Sequence, residues 1–100
     1  MRFLRHAAVI AALAGLAASS VSAQEDKNRT VDQFKCRDVM REAGPDRDIA
    51  IAFLHGFLLG KSGSQSFNLD TLHRQTENFL DRCLSNPDDR AVDSMMAVKK

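Results

Sequence analysis

The sequence predicts an all-α protein: a small single domain of about four helices stapled by one disulfide. Three observations carry this. Apolar residues recur at three- and four-residue steps and nowhere alternate over any length, which is helical periodicity without strand periodicity. The clusters AGPD, GKSGSQS and SNPDD cut the chain into helix-length pieces. Only two cysteines are present, Cys36 and Cys83, and they follow a leader that sends the chain to an oxidising compartment.

The leader is residues 1–23, MRFLRHAAVIAALAGLAASSVSA. Arg2 and Arg5 open it without an acidic residue, and an apolar run follows over residues 7–18. That run is shorter than the roughly 20 residues a bilayer span takes. Val21 and Ala23 stand at cleavage-site spacing, so the segment reads as a secretory signal peptide cut after Ala23. No membrane association is expected after cleavage. The mature chain is then residues 24–100, 77 residues, a size at which a hydrophobic core alone is marginal.

Cysteines in such an exported chain can pair. A Cys36–Cys83 disulfide would enclose 46 residues, a loop worth roughly 4 kcal/mol in the chain-entropy account. Two other uses of the cysteines fit less well. A redox pair usually reads C-x-x-C, which is absent, and a zinc site would have to recruit His55 and His73 at spacings that match no common site. No metal and no cofactor are expected.

Residues 24–33 read as a flexible N-terminal tail, and residues 34–100 as the helical domain. The first helix is expected over residues 31–43, with Phe34, Val39 and Met40 on the same side as Cys36. AGPD ends it. Pro45 suits the first turn of the second helix, expected over residues 46–60, where Asp46 and Asp48 meet the positive end of the helix dipole.

This second helix, with its run IAIAFLHGFLL, is apolar around nearly its whole circumference. Ile49, Phe53, Gly56 and Gly60 share one face; Ile51, Leu54 and Leu58 share another. A helix apolar all round must be covered on all sides. Either it is simply the central core helix, or part of it meets a second copy or a client. The candidate binding residues are Ile49, Ile51, Phe53, Leu54, Phe57, Leu58 and Leu59.

GKSGSQS is a loop. The third helix is expected over residues 69–84 with Asn68 or Asp70 as its N-cap, and Leu69, Leu72, Thr76, Phe79, Leu80 and Cys83 form its apolar stripe. SNPDD then reads as a helix start, with Asn86 as cap and Pro87 in the first turn. The fourth helix carries Ala91, Val92, Met95 and Met96, and Lys99 and Lys100 suit its negative end.

The chain carries no pattern that marks an enzyme. GFLLG and GKSGS lack phosphate-loop spacing, Ser62 beside Lys61 lies in a loop, and Asp88 and Asp89 are explained as helix-start charges. Nucleic acid is not an expected partner. Residues 24–100 hold 12 Lys and Arg against 13 Asp and Glu, with no basic run and no Tyr or Trp for stacking.

That charge balance changes in acid. At pH roughly 3 the carboxylates are neutral. Twelve basic side chains, His55, His73 and the α-amino group then give fifteen positive charges on the 77 residues. Such a charge opposes compact and oligomeric states, while the disulfide persists because thiolate is scarce. His55, the one break in the apolar helix, is the candidate pH switch. Buried and neutral, it would resist burial once charged; at a helix rim it would not.

FKCRDVM, FLHGFLLGKSG and FLDRCLSNPDD together resemble the HdeA/HdeB family of periplasmic acid-stress chaperones, over about residues 34–95. The resemblance implies a small helical fold with the one disulfide and periplasmic localisation. It also implies a homodimer near neutral pH that dissociates and loosens in acid. The exposed apolar segment, here residues 49–59, would then hold unfolded periplasmic client proteins without ATP. The competing reading is a small periplasmic immunity or binding protein that blocks one specific partner.

Overall fold

Four α-helices succeed one another: α1 Cys36–Arg41, α2 Gly44–Lys61, α3 Leu69–Ser85 and α4 Ala91–Val98, with a 3-10 turn at Val31–Gln33 ahead of them. The computed structural model describes residues 26–100, and the signal peptide expected over residues 1–23 lies outside them. Among the described residues there is no strand, only an isolated antiparallel bridge between Lys35 and Arg90. The all-α expectation holds.

The helix expected over residues 31–43 is interrupted. Phe34 is extended (φ −83°, ψ 111°) and Lys35 bridges to Arg90, so α1 begins only at Cys36. Burial explains the break, because Phe34 drops into the core at 6% exposure and its carbonyl accepts from Ala91 N at 2.9 Å. Residues 24–33 were expected to be a flexible tail. Of their described part, Val31 packs against the core, and Lys27 and Arg29 pair with Asp46 (3.1 Å) and Glu42 (3.4 Å).

The fourth helix also starts later than expected. SNPDD is not its first turn, because helix α4 opens at Ala91 behind Arg90. The carbonyls of Pro87 and Asp89 are committed elsewhere: they accept from Arg37 N and Cys36 N, both at 2.9 Å. The first N–H groups of any helix lack intrahelical partners. Residues 86–90 thus supply those partners to α1, and Asp88 adds an ion pair to Arg37. Arg90 reaches over the start of α4 to Asp93, with two bonds of 2.8 and 3.0 Å.

Helices α2 and α3 match their expected spans closely. Pro45 lies in the first turn of α2, and Gly63 follows the helix end with φ +77°, a conformation that favours glycine. Asn68 caps α3, its Oδ1 accepting from Thr71 N at 3.0 Å. Asn68→Ala should cost about 1 kcal/mol, a thermal-midpoint loss of roughly 4–8 °C in a domain this small. Calorimetry on the variant checks it.

The core is built from every helix. Val39 of α1, Leu54 of α2, Phe79 of α3 and Met95 of α4 are fully buried, and Ile51, Ala91 and Val92 complete it. The Cys36–Cys83 disulfide runs through its centre and joins α1 to α3, with a Cα–Cα distance of 4.9 Å. Buried Ser94 donates its hydroxyl to Cys36 Sγ at 3.3 Å, which satisfies a polar group that would otherwise be stranded.

Candidate functional site

Helix α2 divides its apolar circumference between core and solvent. Ile51 (5% exposed) and Leu54 (0%) are core residues and offer no free surface in this conformation. Phe57, Leu58 and Leu59 are half-buried. Ile49 (68%) and Phe53 (52%) stand in solvent. Phe53 and Phe57 pair with ring centroids 5.8 Å apart, and Lys61 Nζ lies 5.4 Å over the Phe57 ring. The sequence-derived set is therefore one helix with two fates: a buried edge that holds the fold, and an exposed edge of Ile49 and Phe53.

Gly56 and Gly60 continue the exposed edge, and a Cβ at either would meet nothing within 4 Å. Glycine inside a helix costs about 1 kcal/mol relative to alanine. No contact within the described residues requires these two.

His55 is buried, at 7% exposure, and it belongs to a polar cluster that joins three helices. Its Nδ1 lies 2.7 Å from Lys99 Nζ, and its Nε2 lies 2.9 Å from Thr76 Oγ1. Lys99, the residue that closes α4, also donates to Gln75 Oε1 at 2.8 Å. An ammonium can only donate. Nδ1 must therefore be the acceptor, and Nε2 carries the hydrogen that Thr76 receives. The arrangement fits a neutral imidazole. Burial, with Lys99 second, pushes the His55 pKa down from 6.5 to about 4. Burial also lowers the Lys99 pKa.

Protonated His55 would donate from both nitrogens. Its Nδ1–H would then point at the Lys99 ammonium, donor against donor and charge against like charge. The tie between α2, α3 and the end of α4 would be reversed at a single bond.

Helices α2 and α3 each pack mainly on α1 and α4, and the His55–Thr76 bond links them to one another. A groove of about 560 Å³ opens between them, with apolar walls that include Ile51, Leu59, Phe67 and Leu72, and the His55–Lys99 cluster crosses it. His73 reaches the groove from an exposed position. Lys99 and Thr76 were not legible as partners of His55. A lone histidine in an apolar run signals only that some polar partner exists, and these stand 21 or more residues away.

Among the described residues, no group of three or more His, Cys, Asp and Glu side chains is placed to hold a metal ion, and no helix is long and apolar enough to cross a membrane. Fold and surface together define a small, disulfide-tied helical module with an apolar helix edge left in solvent. The chain belongs to the HdeA/HdeB family, whose model matches residues 6–93. No curated protein and no solved structure matches the chain.

Proposed function

We infer that this protein is a periplasmic acid-stress chaperone that works without ATP, loosening at low pH to hold unfolded periplasmic proteins and slow their aggregation. Membership of the HdeA/HdeB family supports the class. The observation that carries the reading is the split of α2: an exposed apolar edge of Ile49 and Phe53, beside a neutral buried His55 whose bond to Lys99 acid would reverse. Near neutral pH the same edge is covered by a second copy. Gly56 and Gly60, without neighbours of their own, leave a flat helix surface for close approach. In acid the copies separate, because each carries only positive charge.

Light scattering from an acid-unfolding periplasmic protein tests the function, with the oxidised chaperone present or absent at pH roughly 3 and near 7. Suppression in acid alone is the expected result. Phe53→Ser with Ile49→Ser should lower that suppression several-fold while the helical content at neutral pH stays unchanged, since neither side chain is buried. Absence of suppression at both pH values would reject the chaperone reading and favour the immunity protein, whose mark is one tight partner at neutral pH.

A further inference from the structure

The Lys99 ammonium sits at an apolar groove without a counter-ion. Its Nζ donates to two uncharged acceptors, His55 Nδ1 and Gln75 Oε1. None of the ion pairs among the described residues includes it. An ammonium has three N–H donors, so one is left. A partly buried charge lacking an opposite charge is unfavourable, and burial alone lowers the Lys99 pKa. The fold has therefore placed a cation on two neutral acceptors, with no opposite charge of its own.

The surroundings say what would complete it. The groove between α2 and α3 holds about 560 Å³, within the roughly 300–1,000 Å³ of small-molecule sites. Leu59, Phe67, Leu69 and Leu72 line it, and Phe67 and Leu69 are each 65% exposed. The one carboxylate on its wall, Asp48, is seven residues from His55 along α2, about 10 Å away at 1.5 Å per residue. The cationic and acidic ends of the groove are thus separate.

We propose that this groove binds an aliphatic monocarboxylate, with the carboxylate on the free N–H of Lys99 and the hydrocarbon chain along Leu59, Phe67, Leu69 and Leu72. The chain length it suits is medium: long enough to cover the apolar wall, short enough to stay between the two helices. The site does not depend on the chaperone reading, because it is formed in the neutral-pH conformation with the His55–Lys99 bond intact.

Titration calorimetry at pH 7 tests this with decanoate as the probe, and with acetate, decanol and decyltrimethylammonium as the other arms. Decanoate should bind at least tenfold more tightly than any of the three. Lys99→Met should remove that preference and leave decanol binding where it was, and Lys99→Arg should restore it. Neutral-pH circular dichroism identifies a variant that has failed to fold, and the arginine variant then decides. Equal binding of decanoate and decanol would overturn carboxylate recognition, and binding of acetate as tight as that of decanoate would reduce the site to a surface anion contact. No decanoate binding to the unaltered protein would reject the site outright.

Discussion

Reduction of the Cys36–Cys83 disulfide lowers the thermal midpoint by roughly 15–30 °C, the consequence of losing about 4 kcal/mol in a domain this small. The bond closes a loop of 46 residues between α1 and α3. Its removal frees the unfolded chain more than it disturbs the folded one. The folded state loses something too: both cysteines are buried, and Cys36 Sγ is the acceptor that Ser94 uses. Small domains hold only about 5–15 kcal/mol in total, so the reduced protein sits near its unfolding threshold at growth temperatures. Calorimetry with and without reductant, and on Cys36→Ala paired with Cys83→Ala, measures the loss. A midpoint shift under 5 °C in both would mean that helix packing alone holds the fold.

His55→Gln flattens the acid limb of the stability profile. The folded-state pKa of His55 is about 4, against 6.5 when free. Between those values the unfolded chain binds the proton and the folded one does not, so stability falls as pH falls through this window. The gap is worth roughly 3 kcal/mol once pH is below the lower value, at 1.36 kcal/mol per unit. Glutamine can keep one bond to Thr76 and one to Lys99, but it does not titrate. The variant should therefore hold its structure to a lower pH than the parent. Urea unfolding at half-unit pH steps between 7 and 3 gives the comparison. An unchanged acid midpoint would remove His55 from the mechanism, without touching the scattering test of the function itself.

These two residue sets show how far the sequence could be read. The disulfide was legible because two lone cysteines without C-x-x-C spacing have few alternatives, and the α3 stripe placed Cys83 on the inward side. The α3 cap was legible as Asn68 or Asp70 because capping is local, needing only the helix that follows, and the structure selects Asn68. The structure departs from the expected start of the first helix, and from SNPDD as the start of the fourth, for one shared reason. The backbone groups of Phe34, Pro87 and Asp89 are used across the chain, in bonds between Phe34 and Ala91 and between α1 and the 86–90 turn. Local propensity sees a helix continuing or starting there and cannot see the distant partner. The binding surface was half legible for a similar reason. A fully apolar helix announces more surface than a small domain can cover, but which edge stays uncovered depends on where α1 and α4 pack. That packing puts Ile51 and Leu54 inside and leaves Ile49 and Phe53 outside.

Residues 86–90 also bear on the order in which the molecule is completed. Helix α1 has six residues, far below the 12–15 or so at which an isolated helix becomes even marginal in water. Its opening amides find their acceptors some fifty positions later, at Pro87 and Asp89. As the polypeptide is made from its amino end, the first helix to appear is thus the last to be finished. Until the carboxyl-terminal third is available, Cys36 sits on an unformed segment with its thiol unpaired. Ordered pairing of the two sulfurs then depends on the same late turn that closes the helix.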